Sequence, residues 1–311
     1  MIRLENTTVA QISEAITEEK RERGALALGF VLTLVVVADE SDQADALAAA
    51  SGAAAAHPMR IVLAIPRPGR GPSQLDAEIS IAGDAGPGEV IILRLRGGLA
   101  AHAQSVVLPL LVPDAPVVTW WASEPPDSPG SDPLGMIARR RITDSGAGNR
   151  GTDELHKRAT SYSPGDTDLA WTRLTPWRAL LASALDRPFD PIVSAEVASS
   201  RTNASAPLLV AWLSRLLRVP VTHKHSRGPG ITSVTITTEG GPIKITRPDG
   251  VKATLSVPGY PDSEVPLRRR TTKELLLEEL KRLDPDEVYA DALSQLPDVI
   301  DDTLPETAAS S

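Results

Sequence analysis

Apolar residues recur with helical and strand periods in alternation along the first half of the chain. Val9, Ile12, Ala15 and Ile16 stand three and four apart among charges, which predicts an amphipathic helix from Thr8 to Arg23, closed by Gly24. Leu26 to Val37 is a near-continuous run of Val and Leu, the pattern of a central strand covered on both faces. An alanine-rich helix capped by Ser41 follows over Asp39 to Ala56, then a short strand, Met59 to Ile65, ended by Pro66. Strand, helix and strand in that order predict a parallel crossover. Gln74 to Ile81 alternates apolar with polar residues as a half-exposed strand does, and Val90 to Leu95 is another strand.

A helix is predicted over Leu99 to Leu111, and Pro116 to Trp121 reads as a buried strand. Neighbouring strand residues face opposite ways, so one of Trp120 and Trp121 packs inward while the other meets a helix, a loop or a partner. A short helix, Asp132 to Arg140, and a short strand, Arg141 to Asp144, come next, and Arg139-Arg140-Arg141 reads as a solvated face.

The middle of the chain, Ser163 to Asp186, carries two of the five tryptophans on one helical stripe with Leu174, Leu181 and Leu185. Ser163 to Asp166 predicts a turn, Thr167 or Asp166 a helix cap, and Asp168 a carboxylate in the first helical turn. Pro176 predicts either a short helical turn that restarts there or one helix kinked there. Beyond it the pattern gives a strand, Ile192 to Ser199, an amphipathic helix, Ser205 to Leu217, and a strand, Val219 to His223. Three alternating runs, Ile231 to Thr238, Pro242 to Arg247 and Val251 to Val257, are separated by Glu239-Gly240-Gly241 and Pro248-Asp249-Gly250, which are hairpin signals. Two helices close the pattern, Lys273 to Leu283 and Asp286 to Leu296.

This order predicts an α/β protein. A Rossmann-like domain with a mostly parallel sheet is expected over residues 1–162, and an α+β domain with an antiparallel meander over 163–297. Residues 298–311, acidic with small side chains, are expected to be a disordered tail. The 311-residue length suits two domains. A formal charge of −8 argues against a surface built for nucleic acid, and the longest apolar run is too short to span a bilayer, so a cytoplasmic location with neither partner is expected. Without cysteine the chain can supply neither a disulfide, a thiolate ligand nor a thiol nucleophile.

Candidate chemistry is sparse. His223 and His225 share a strand face, but no third metal ligand is evident beside them, and a solvated strand end is the expectation. His57, His102 and His156 have no nucleophile motif next to them. Gly83 to Glu89 leads into a strand and reads as a connecting turn. Arg96-Gly97-Gly98 follows a strand and opens a helix, so Arg94, Arg96 and Gly98 are a candidate anion site, with a tight turn as the plainer reading. No nucleophile elbow, P-loop, zinc-protease helix or dinucleotide fingerprint occurs; neither catalysis, a metal nor a cofactor is expected.

The run Gly165-Asp166-Thr167-Asp168-Leu169-Ala170-Trp171, continued by Arg173 and by Trp177-Arg178-Ala179-Leu180-Leu181, resembles the glucose-6-phosphate dehydrogenase assembly protein family, OpcA, of actinobacteria and cyanobacteria. His57-Pro58 with Arg60-Ile61, Gly83 to Gly86, Leu93 to Leu99, His102 to Ser105, Pro113-Asp114, Trp120-Trp121 and Arg282-Leu283-Asp284 extend the resemblance over most of the chain. It implies a non-catalytic partner that promotes assembly and activity of glucose-6-phosphate dehydrogenase in the oxidative pentose phosphate pathway. In cyanobacteria such proteins are linked to redox control of that enzyme, which here could not use a thiol of this chain. Asp166, Asp168, Trp171, Arg173, Trp177 and Arg178 are the candidate partner-binding or domain-junction residues, because Trp and Arg dominate interface energetics. The two tryptophans also suit a core stripe, and the arginines are the residues expected to be exposed. The competing reading is a sugar-phosphate or nucleotide binding protein that uses the helix N-terminus of the first domain.

Overall fold

Runs of Val, Leu and Ile buried on both faces form the centre of a mostly parallel sheet, as their continuity requires. Its strands stand in the order Ile2–Leu4, Gln74–Ile81, Glu89–Arg96, Met59–Arg67, Leu32–Val37, Val117–Trp121, Arg140–Thr143 and Asp166–Asp168. The pairings from Glu89–Arg96 through Arg140–Thr143 are parallel, and the two on the Ile2–Leu4 side are antiparallel. The computed structural model describes residues 1–22, 29–81, 88–148 and 150–296. The helix end at Gly24, the start of the strand at Leu26, Gly83 to Pro87 of the connecting turn and the tail 298–311 lie outside them.

The chain forms two compact units. The first takes the described residues of Met1–Thr143 with Gly165–Thr167 and Thr271–Pro285; the second takes Asp144–Pro164, Asp168–Arg270 and the described residues from Asp286 onward.

In the first unit the strand–helix–strand order over Leu32–Val37, Gln43–Ala54 and Met59–Arg67 gives the expected parallel pair, Leu34 opposite Ile61 and Val36 opposite Leu63. Ala46, Ala49, Ala50, Ala53 and Ala54 are the buried side of that helix. Small residues let a second helix, Thr272–Glu279, approach closely: a Cβ on Gly52 would lie 2.6 Å from Cδ of Lys273. A fully buried carboxylate, Glu89, sits between Lys20 Nζ at 2.7 Å and Arg60 Nη2 at 3.0 Å.

Several local expectations change in this unit. The helix over Leu99 to Leu111 is instead a 3-10 stretch Gly97–His102, a five-residue helix Ala103–Val107 and a 3-10 turn Leu108–Leu110. Gly97 at φ 61° enters it with a left-handed turn, and Pro109, lacking an N–H, cannot continue an α-helical ladder. The helix predicted over Asp132 to Arg140 is confined to Pro133–Met136, capped by Asp132, whose carboxylate accepts from Leu134 N–H at 2.8 Å. The arginine run is not a solvated face. Arg140 and Arg141 are 4% and 8% exposed, and only Arg139 lies at the surface. Arg140 is held by Glu279 and by the carbonyl of Asp284, and Arg141 by Asp166, all partners remote in sequence. Trp120 and Trp121 are both buried at 3% exposure, so the second also faces protein.

In the second unit a six-stranded sheet runs Val221–His225, Ile192–Ser199, Ile231–Thr238, Gly241–Thr246, Lys252–Ser256, Ser263–Pro266. The last four strands are an antiparallel meander, as the hairpin signals predict, extended by the edge strand Ser263–Pro266 that the pattern did not reveal. Helix Ser205–Leu217 buries Leu208, Leu209 and Leu213, in one hydrophobic cluster with Trp171, Trp177, Leu181, Val197, Val234 and Ile245.

Candidate functional site

The family-like segment is built from short pieces whose ends are fixed by side chains. Gly165 at φ 98° makes the turn, and its carbonyl accepts from Arg141 N–H at 2.9 Å. That pairing draws Asp166–Asp168 into an extended strand, so the cap is neither Asp166 nor Thr167. Asp168, extended at φ −133° and ψ 136°, is itself the N-cap of helix Leu169–Thr172. The helix closes after one turn, and a second, Thr175–Leu185, begins with Pro176 in its first turn, where a missing N–H costs no bond. Of the two readings open from sequence, the restart is the one the chain adopts.

Asp166 pairs with the guanidinium of Arg141, both nearly buried. Asp168 is 0% exposed and accepts from Ser145 N–H at 3.1 and 3.0 Å, Ser145 Oγ at 2.7 Å and Ala170 N–H at 2.8 Å. Trp171 is buried; its Nε1–H donates to Asp286 at 2.9 Å, and Arg178 lies over its ring with Cζ 3.9 Å from the centroid. Asp286 uses its other oxygen to cap helix Glu287–Ser294 through Tyr289 N–H at 3.0 Å. Trp177 is buried under Arg247, 4.9 Å from its ring centroid.

Arg173 makes a two-pronged bond to Asp144, Nη1–Oδ1 2.6 Å and Nη2–Oδ2 2.8 Å. Burial works to lower its pKa, and the hydrogen bond and charge of Asp144, with the charge of Asp168, overcome this and raise it. Its side chain is 25% exposed and Arg178 is half-buried, so neither arginine stands out in solvent as the sequence suggested.

The second unit also contains a cavity of about 240 Å³ beside this segment. Arg173 and Trp177 line it together with Arg247, Arg268, Arg269 and Arg270. Sequence reasoning passed over the last four. The run Arg268-Arg269-Arg270 was visible, but nothing local tied it to Arg173, about a hundred positions earlier.

At the other candidate anion site the guanidinium groups already face carboxylates. Arg94 donates to Glu78 at 2.8 Å and to Gln43 at 3.2 Å and has Glu40 at 3.6 Å, while Arg96 faces Asp76 at 3.2 Å. Gly98 lies in the 3-10 stretch rather than at the start of an α-helix. His223 and His225 contact each other edge to face, 5.3 Å between ring centroids, and His223 Nε2 lies 2.9 Å from Ser199 Oγ. Burial first, then the charge of His225, pushes the His223 pKa below 6.5. Among the described residues no group of three or more His, Asp or Glu is placed to hold a metal ion.

Comparison with known proteins bears on the same segments. Residues 50–160 match the family described as the N-terminal domain of a glucose-6-phosphate dehydrogenase subunit, and residues 164–293 match the family described as its C-terminal domain. A Synechocystis protein described as OxPP cycle protein OpcA is 28% identical over 150 residues, an alignment that covers 45% of this chain and 32% of that relative. Among solved structures, the 3-ketoreductase KijD10 of Actinomadura kijaniata superposes with a TM-score of 0.46 at 10% identity over 85% of this chain and 95% of the other. The dehydrogenase MviM of Clostridium difficile gives 0.43 at 8% over 88% and 99%. Likeness at that level carries no functional reading. The two domain matches, which meet just before the Asp166–Arg178 segment and together span most of the sequence, show that this chain belongs to the OpcA family of glucose-6-phosphate dehydrogenase assembly proteins.

Proposed function

We propose that this chain is a non-catalytic protein that binds glucose-6-phosphate dehydrogenase in the cytoplasm and favours its assembled, active state. The proposal rests on the pair of domain matches, both described as parts of one subunit of glucose-6-phosphate dehydrogenase. A partner of this kind acts only through a higher affinity for one state of the enzyme than for the other. The residues support a binding role over catalysis. The strongly held charged groups, Asp166, Asp168 and Arg173, are engaged in structural bonds, and the Ser199–His223 contact has no carboxylate among its described hydrogen bonds to orient the ring. Among the described residues no helix is long and apolar enough to cross a membrane.

The test is to mix purified chain with the cognate dehydrogenase. The proposal expects co-elution on size exclusion and a changed rate or substrate affinity of the enzyme. Separate elution with unchanged kinetics would reject it.

A further inference from the structure

We propose that the arginine-lined cavity of the second unit binds a compact phosphate monoester. Five arginines, residues 173, 247, 268, 269 and 270, line it, and the lining includes no Asp or Glu. This concentration of positive charge stands on a chain whose formal charge is −8. Asp144 offsets the charge of Arg173. Asp249 offsets part of the charge of Arg247, and its Oδ1 accepts from the N–H groups of Val251 and Lys252.

Arg247 is the buried anchor. It is 5% exposed, its Nη1 donates to the Leu267 carbonyl and its Nη2 to that of Ile231, both at 2.9 Å, while its Nε is buried with no hydrogen-bond partner. Burial and the charge of Arg269 lower its pKa, opposed by Asp249. Positive groups that repel one another in a cavity are stabilised by an anion placed between them.

Backbone adds to the same field. Asn203 and Ser205 line the cavity at the start of the thirteen-residue helix Ser205–Leu217, whose N-terminal end is partially positive. The Asn203 Oδ1 accepts from Ala206 N–H at 2.9 Å, which leaves its amide NH₂ as the end able to donate.

The ligand class follows from charge and size. A single carboxylate offers one negative charge, whereas a phosphate monoester offers about two and three acceptor oxygens that guanidinium forks match. The volume, about 240 Å³, lies below the ~300–1,000 Å³ usual for drug-sized ligands, which suits a phosphorylated sugar rather than a dinucleotide. Pro176, half-buried in the lining, supplies apolar surface for its carbon frame.

The binding is read on the isolated chain, so its outcome is separate from that of the dehydrogenase complex. Thermal unfolding and calorimetric titration at constant ionic strength would compare glucose 6-phosphate, inorganic phosphate, glucose and sodium chloride. The expected result is saturable stabilisation by glucose 6-phosphate, weaker binding of inorganic phosphate and no response to glucose or salt. Arg269→Gln, at an exposed position, should weaken binding about tenfold, as loss of one charge-assisted contact does, while Arg215→Gln on the exposed face of the helix leaves it unchanged. No saturable response, equal affinity in Arg269→Gln, or inorganic phosphate binding as tightly as the ester would overturn the assignment.

Discussion

Asp168→Ala removes the carboxylate that organises the start of the Leu169–Thr172 helix. Four hydrogen bonds to it come from Ser145 and Ala170, and the residue is fully buried, so water cannot cheaply satisfy the donors left behind. A buried donor left without a partner costs about 1–3 kcal/mol, and Ser145 N–H, Ser145 O–H and Ala170 N–H are all affected. Rotation of the Ser145 hydroxyl to another acceptor relieves part of this, and the N-cap share alone is about 1 kcal/mol. The expected loss is therefore about 4 kcal/mol. Asp168→Asn keeps one carbonyl oxygen able to accept from the Ala170 and Ser145 amides and should cost about half as much. Urea unfolding measures the total, and hydrogen exchange at the Ser145 and Ala170 amides locates it. A loss below about 1 kcal/mol for Asp168→Ala, with unchanged exchange at those amides, would rule out this role for the carboxylate.

Three further outcomes follow from buried ion pairs and a shifted imidazole. Arg173→Ala strands the Asp144 carboxylate, which is 9% exposed, and should destabilise the chain by about 2–3 kcal/mol in chemical unfolding, with Arg173→Lys intermediate because it loses the two-pronged geometry. Glu89→Gln leaves Lys20 and Arg60 without their shared buried counter-charge and should cost about 3–5 kcal/mol, seen as a lowered Tm. The His223 pKa is lower folded than unfolded, so as pH falls below 6.5 the unfolded chain takes up the proton first and stability drops until the folded value is passed; His223→Gln should flatten that limb of a stability-against-pH curve.

The parts of the fold that were readable from sequence are those encoded by local period. Gln74–Ile81 alternates buried and half-buried residues as its pattern predicts, and Ser205–Leu217 keeps its predicted bounds. The edge strand Ser263–Pro266 was not readable, because its residues are mostly exposed and carry no alternation. The Arg139–Arg141 run failed for a different reason. A charge run is solvated unless counter-charges reach it, and those of Arg140 and Arg141 come from Glu279 and Asp166, residues that no local pattern connects to it. Trp171 was legible on the helical stripe and Asp168 as a first-turn carboxylate, and the family resemblance singled both out, but their bonding, to Ser145 and Asp286, depends on long-range folding. The cavity was illegible because its arginines come from three separate segments, around positions 173, 247 and 268–270.

Partnership with glucose-6-phosphate dehydrogenase stands or falls on the mass of the mixture. Light scattering on the size-exclusion peak of chain plus cognate dehydrogenase should give a mass equal to a dehydrogenase oligomer carrying bound chain, with both proteins in the peak and a greater oligomeric fraction than the enzyme shows alone. Two separate peaks at the masses of the individual proteins, at concentrations well above those of the enzyme assay, would contradict it.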